Sequence, residues 1–378
     1  MRQSFVSEPV RVRVPATSAN LGPGFDALGL ALALHDEVTA QVIPAGCRVE
    51  VAGEGAGELP TDDTHLVVRA MRVAFDVLGG QPAGLVVHCV NRIPQARGLG
   101  SSSAAIVAGV LLARALVPDG AQRMATDAVL RLAADLEGHP DNVAPCLLGG
   151  FTIAWTGSTA HGVPIGADDA AAGGGADEGA DAAVGADVAN GADAAGGADV
   201  AIGADAANGA DVANGADVAV GADVARAVSL PVVPAVRPVV FIPEFQGLTA
   251  VARAALPESV PHADAARNAG RSALLVHALT ADPGLLFPAT EDWLHQRYRA
   301  PGMPATSDLL AALRGAGVAA TVSGAGPTVL ALTDLPAGFD PGMGWAVKSL
   351  SIDVTGAHLY RGRLGHAERD PVAAGRKS

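Results

Sequence analysis

The sequence predicts an α+β protein of two domains that share an interface, interrupted by one low-complexity insertion. Three observations carry that prediction. The chain has 378 residues, of which 49% are apolar, enough for a packed core of that size. Extended segments precede and interleave with helical ones, but no regular βαβ series runs through the sequence. One acidic tract, residues 166–226, is built almost wholly of Gly, Ala, Asp, Val and Asn, with no recurring bulky side chain. Aromatic residues make up only 3%, so Ala, Val, Leu and Gly must do most of the packing.

Taken in order, Val10-Arg11-Val12-Arg13-Val14 alternates strictly and reads as a strand with one buried face. A glycine-rich stretch, Asn20 to Asp26, follows it. Leu85 to Val90 is a second strand, and it leads through Asn91-Arg92-Ile93-Pro94 into Gly98-Leu99-Gly100-Ser101-Ser102-Ser103. Ala104 to Val117 is almost wholly apolar, so it should be a helix buried all round. Gly150 to Trp155 is a strand, and Ala227 to Val233 leads into another extended region. Arg237 to Pro243 is a strand, Arg271 to Leu279 and Ser307 to Ala316 are helical, and Thr321 to Leu330 reads as a turn followed by a strand.

Between those flanking strands, Gly179 to Arg226 is eight copies of a six-residue Gly-Ala-Asp-(Ala/Val)-Ala-x unit. A fixed short period can signal stacked solenoid rungs. Here no bulky aliphatic recurs to fill such a core, and Ala side chains cannot offset backbone ordering of about 1–2 kcal/mol per residue. The expectation is a disordered acidic insertion in a surface turn. The domain plan is therefore residues 1–160, an insertion at 161–228, and residues 229–378 ending in a mobile tail.

Charge and composition exclude several classes. The net charge is −14, but residues 166–226 alone carry −11 and the rest only −3. No basic stripe with interleaved aromatics appears, which argues against nucleic-acid binding. No apolar run approaches the roughly 18 residues of a membrane span, and the first residues lack a secretory apolar segment, so a cytoplasmic protein is expected. Cys47, Cys89 and Cys146 match neither a disulfide framework nor a zinc spacing. The only lysines are Lys348 and Lys377. Neither follows a Gly-rich turn, so a lysine-bearing phosphate loop is absent.

Three segments carry chemistry. In Pro94-Gln95-Ala96-Arg97-Gly98-Leu99-Gly100-Ser101-Ser102-Ser103-Ala104, a strand, two glycines and the start of a helix coincide. Amides at a helix N-terminus, with the macrodipole behind them, attract a phosphate. A serine cap after a glycine turn is the plainer alternative. Without a lysine, the phosphate charge must be met by amides, Mg²⁺ and Arg97. In Glu137-Gly138-His139-Pro140-Asp141-Asn142, two carboxylates, an imidazole and an amide are costly to bury unless they bind something. Metal ligation by Glu137 or substrate contact by His139 and Asn142 would use them; a solvated Pro-Asp-Asn turn would not need them. Ser323 to Thr328 admits a close backbone approach or simply a tight turn.

Together these segments resemble the three motifs of the GHMP small-molecule kinases, at residues 14–30, 94–104 and 321–328. Residues 137–145 and Thr249 to Pro257 (TAVARAALP) resemble the branch of that family that phosphorylates L-homoserine. The resemblance covers roughly residues 10–160 and 229–360. It implies an N-terminal α+β domain like ribosomal protein S5 with a left-handed βαβ crossover, and a C-terminal ferredoxin-like domain. It implies ATP and Mg²⁺ as cofactors, and transfer of the γ-phosphoryl group to the homoserine hydroxyl. Family members are often homodimers. By the same resemblance, amides of Gly98 to Ser103 hold phosphates, and Ser102 and Glu137 ligate Mg²⁺, with Ser101 next to them. Asp26 takes the substrate ammonium, with Asn20 nearby for the hydroxyl or a phosphate oxygen. Arg253 and Arg299 take the carboxylate, and His139, Asn142 and Thr249 complete the pocket. Asp141 is the nearest candidate for a general base, the alternative being attack by the hydroxyl with no dedicated base if orientation suffices.

Three rivals remain on the sequence. Gly22-Pro23-Gly24-Phe25-Asp26-Ala27 fits a dinucleotide-binding turn, although Pro23 suits it poorly. Another GHMP kinase would act on mevalonate or a sugar. A binding protein with a degenerate kinase fold would use the acidic tract to recruit basic partners.

Overall fold

The alternation at Val10–Val14 lies in the first half of β1 (Val10–Ala19), whose inward residues Val10, Val12 and Val14 are buried. The computed structural model describes residues 3–158 and 223–361, and these belong to one compact unit. The acidic repeats up to residue 222, and the tail beyond residue 361, lie outside the described residues.

β1 hairpins into the sixteen-residue β2 (Leu28–Ile43), with an irregularity in register between Pro15 and Ala16. β3 (Gly46–Gly53), α1 (Leu66–Val77) and β4 (Gly84–Asn91) form a βαβ unit, because β3 and β4 pair in parallel. Next come α2 (Ser101–Leu116), α3 (Gly120–Arg123), α4 (Thr126–Glu137), α5 (Val143–Leu148) and β5 (Phe151–Ser158). The second half of the chain contributes β6 (Asp223–Leu230), β7 (Val239–Pro243), α6 (Thr249–Ala254), α7 (His262–Thr280), α8 (Leu286–Ala289) and α9 (Gln296–Arg299). It ends with α10 (Pro304–Gly315), β8 (Ala320–Val322), β9 (Val329–Ala331), β10 (Trp345–Ser349) and β11 (His358–Arg361).

Two sheets result. The larger runs β11-β1-β2-β4-β3, with β5 paired to β2 and β6 paired to β5; the smaller runs β10-β7-β9-β8 and is antiparallel throughout. α2 is the hinge of the packing. Its apolar faces touch β1, α1, α4 and α5, and residues from Ser103 to Leu116 are almost all buried, as an all-apolar helix requires. One core cluster joins residues of both halves, from Leu30 and Leu112 to Leu275 and Leu330.

Differences from the sequence reading are local. β5 and β6 are antiparallel neighbours whose last register pair is Ser158 with Asp223. The insertion therefore leaves and re-enters at the open end of a hairpin, where extra chain costs little. Its boundary moves, however: β6 starts at Asp223, inside the last hexapeptide copy, so residues 223–228 are strand. Thr321 and Val322 are strand β8 rather than turn, and α7 extends nine residues further towards the N-terminus than the periodicity suggested. β11 returns from the C-terminal half to the edge of β1.

Candidate active site

The glycine-rich loop begins where β4 ends. The Asp36 carboxylate on β2 accepts both the Arg92 amide (2.6 Å) and the Ile93 amide (2.9 Å), which fixes the exit direction of the chain. Ala96, Gly98 and Gly100 then have φ of 52°, 71° and 70°. At Gly98 an added Cβ would lie 2.3 Å from the Ser323 carbonyl oxygen, and at Gly100 it would lie 1.9 Å from Thr17 Oγ1. Both positions need glycine for space as well as for dihedral. Gly100 is the N-cap of α2 and no side chain caps that end. The plainer reading of the serines as caps therefore fails: Ser101, Ser102 and Ser103 are the first three helical residues. The amides of the first turn, with the helix dipole behind them, are set up to meet an anion.

The serine hydroxyls are directed elsewhere. Ser102 Oγ donates to Glu137 Oε1 at 2.6 Å and Ser103 Oγ donates to the same oxygen at 2.8 Å. Glu137 is the last residue of α4, which Gly138 ends in the left-handed region at φ 89°. Burial raises the Glu137 carboxyl above its ordinary value, against the two serine bonds and the nearby His139. His139 Nδ1 meets Asp141 Oδ1 at 2.5 Å, and Asp141 is 2% exposed, which rules out a solvated turn. Burial pulls His139 down, but its bond to Asp141 and the negative charge of Asp141 and Glu137 outweigh this and raise it. Asn142 Oδ1 accepts from Thr17 Oγ1 at 2.8 Å, placing this element beneath Gly100.

The turn after β1 supplies the opposite end of the site. Asn20, Leu21 and Asp26 all have positive φ. Asn20 stabilises the turn from within: its Oδ1 accepts the Asp26 amide (2.9 Å) and its Nδ2 donates to the Gly324 carbonyl (2.9 Å). The Asp26 carboxylate pairs bidentately with Arg253, at 3.0 and 3.1 Å. Arg253 lies one helical turn after Thr249, the exposed first residue of α6. Arg299, at the end of α9, is 4% exposed. Its Nε donates to the Ala252 carbonyl (3.1 Å) and its Nη1 to the Gly324 carbonyl (3.3 Å). Both guanidiniums lie over the Phe25 ring, at 5.9 and 5.4 Å, a cation–π arrangement. Arg299 senses the charges of Arg253, Asp26 and Asp141, and His139 senses Arg253, so both ends belong to one electrostatic cluster.

The third motif acts as a brace. Ser323 Oγ donates to the Gly98 carbonyl (2.6 Å) and accepts from Ser18 Oγ (2.8 Å), while the Gly324 amide donates to the Ala19 carbonyl (3.0 Å). Thus residues 18–26, 98–103 and 323–324 meet, although they are remote in sequence. Thr17, Ser18, Phe25 and His295 carry no sequence signal of their own: β1 is buried without a break from Val14 to Ala19, so alternation does not mark the first two. Arg97 differs from expectation: its guanidinium donates to the carbonyls of Pro243 (2.9 Å), Gln95 (2.7 Å) and Glu244 (2.6 Å), pinning the loop to β7. The dinucleotide reading is excluded, because Gly22–Ala27 runs into a strand antiparallel to β1 rather than into a helix.

Similarity to known proteins agrees with this geometry. The family description "GHMP kinases N terminal domain" matches residues 65–150 and "GHMP kinases C terminal" matches residues 264–338. The chain belongs to the GHMP kinase family. Homoserine kinases are among its relatives in sequence. It is 47% identical to homoserine kinase from Streptomyces coelicolor over 94% of this chain and 95% of that protein. With homoserine kinase from Clavibacter michiganensis it shares 42% identity, over 92% and 93%. The crystal structure of homoserine kinase from Cytophaga hutchinsonii superposes with a TM-score of 0.63 at 22% identity, covering 95% of this chain and 99% of that one. Mevalonate diphosphate decarboxylase from Staphylococcus aureus has the same fold at a TM-score of 0.54 and 13% identity, over 94% and 98%, so the fold by itself does not define the substrate.

Proposed function

We propose that this protein transfers the γ-phosphoryl group of ATP to the side-chain hydroxyl of L-homoserine, giving O-phospho-L-homoserine and ADP on the route to threonine. The observation that carries the reading is one cluster with two unlike ends. At one end an uncapped helix terminus lies beside Ser102 and Glu137. At the other, Asp26 faces Arg253 and Arg299 over Phe25. An α-amino acid zwitterion suits the second end, with its ammonium on Asp26 and its carboxylate on the guanidiniums. A sugar offers neither charge. The hydroxyl is then presented towards the loop, with His139, Asn142 and Thr249 around it and Asn20 holding Asp26 in place. Phosphoryl transfer needs mainly this positioning and the neutralisation of charge. We assign the phosphate contacts to the amides of Gly98 to Ser103, since the Arg97 guanidinium is committed to carbonyls.

The oxygen donors of Ser102 and Glu137 meet at α2 and fit Mg²⁺, which prefers carboxylate and hydroxyl oxygen. When bound there, the ion would neutralise charge on the nucleotide phosphates. Glu137→Gln is therefore expected to raise the Mg²⁺ concentration for half-maximal rate by about tenfold or more. Asp141 is the residue assigned to accept the hydroxyl proton. A coupled ADP-release assay with L-homoserine, mevalonate and galactose, with the product identified by ³¹P NMR, tests the assignment. Turnover with mevalonate or galactose and none with homoserine would overturn it.

A further inference from the structure

His295 lies outside every motif so far used, yet it sits at the junction of two of them. It is 0% exposed. Its Nε2 lies 2.9 Å from the Gly22 carbonyl oxygen and its Nδ1 lies 3.0 Å from Arg299 Nη1. A carbonyl can only accept and a guanidinium can only donate. The ring must therefore carry its proton on Nε2 and keep a lone pair on Nδ1: one neutral tautomer, with both nitrogens committed. Its surroundings hold that state. Asp292, whose side chain is fully buried, accepts the His295 amide at 3.1 Å, and the Phe25 ring lies 5.2 Å away. The charged groups that act on the imidazole are Asp292, Arg299 and Asp26, and burial lowers its pKa, in keeping with a neutral ring. With Nε and Nη1 bonded to Ala252, Gly324 and His295, Arg299 Nη2 is the nitrogen with no hydrogen-bond partner among the described residues.

We propose that His295 is a positioning residue: as the Nε2–H tautomer it aims the Arg299 guanidinium at the substrate carboxylate and locks it to the turn that carries Asp26. This rests on the reading of Arg299 as a carboxylate ligand. The imidazole thereby couples the two charges that a zwitterion must engage at once. The helix end that serves ATP lies outside the couple, so the effect falls on one substrate only.

Three variants and one spectrum test it. His295→Gln can still donate to Gly22 but offers Arg299 no acceptor at the Nδ1 position; KM for homoserine should rise about tenfold or more, the scale of a hydrogen bond to a charged group, with KM for ATP unchanged. His295→Asn places an oxygen near the Nδ1 position and should restore most of the homoserine KM. Arg299→Met is the control. If Arg299→Met raises the homoserine KM and His295→Gln does not, this inference fails while the substrate assignment stands; if Arg299→Met has no effect, both fall. Equal losses for both substrates in both histidine variants, in step with the melting temperature, would mark a merely structural residue and overturn the proposal. Long-range ¹H–¹⁵N correlation of the unmutated protein gives a reading that needs no variant. A protonated Nε2 and bare Nδ1 across pH 6–8 is expected, and a protonated Nδ1 refutes the proposal.

Discussion

Replacing Asp36 with Asn should stabilise the protein at neutral pH and progressively less as the solution is acidified. Asp36 is 7% exposed. Burial pushes its carboxyl from 3.8 to about 6, even though the Arg92 and Ile93 amides pull the other way. The fold thus holds a proton that the unfolded chain has released between those two values. The favourable contribution is complete below pH 3.8 and is lost as pH rises through 6. The displacement corresponds to about 3 kcal/mol at 1.36 kcal/mol per pK unit, and roughly 1.4 kcal/mol of it falls between pH 5 and 7.5. Both amides bond to the same oxygen, Oδ1, so the Asn carbonyl can accept both and leave the loop exit in place. Urea unfolding of both proteins at pH 5, 6 and 7.5 gives the difference directly, and any pH-independent packing cost cancels from its slope. The stability gap should widen in favour of Asn by about 1.4 kcal/mol across that range, with KM for ATP unchanged. A gap that stays flat with pH would refute the argument. In Asp36→Ala both amides lose their acceptor, so KM for ATP should rise.

Gly100→Ala should weaken nucleotide binding by about a hundredfold by calorimetry, because its Cβ would strike Thr17 Oγ1 at a φ of 70°; Thr17→Ala in the same chain should recover part of the loss, and no recovery would place the cause elsewhere. Asp141→Asn tests proton acceptance: a fall in kcat above about 10³ fits a general base, whereas a fall below about tenfold removes that role. Deleting residues 161–220 leaves four residues to close the Ser158–Asp223 hairpin; kcat/KM for both substrates should stay within about twofold, and lost activity with unchanged melting would contradict the tract's dispensability.

What the sequence disclosed was whatever is local. Gly98 and Gly100 announce a close approach, and the apolar run after them announces burial. Their partners, Ser323 and Thr17, are set by tertiary contact, and no local pattern in a chain distinguishes these hydroxyls from surface ones. Ser18 and Ser323 lie 305 positions apart and meet only because β1 and β8 end at the same place. Arg253 and Arg299 were named through family resemblance; their common footing on Phe25 was not, because cation–π stacking leaves no spacing signature. The first half of α7 escaped notice because its buried face there is polar: Asp264 accepts from Arg297, and Asn268 donates to the Pro23 carbonyl. Hydrophobic periodicity is blind to a helix that packs by hydrogen bonds.

Polar contacts of the same kind bear on the lysine-free loop to which the proposed function assigns the phosphates. A phosphate loop with a lysine carries its own point charge and tolerates some looseness, whereas one relying on amide dipoles must have them fixed beforehand. Here the fixing is done from the second half of the chain. Ser323 holds the Gly98 carbonyl, Arg97 is anchored on β7, and the Gly247 amide donates to the Ala96 carbonyl. The turn bearing Asp26 is held likewise, by Asn268 and Ser272 on the Pro23 carbonyl and by His295 on Gly22. The glycine-rich loop and the turn bearing Asp26 are thus N-terminal segments held in shape by hydrogen bonds to the second half of the chain. Separating the two halves would dismantle both the cradle proposed for the nucleotide and the clamp proposed for the zwitterion, so motifs that stand apart in the sequence depend on one shared core.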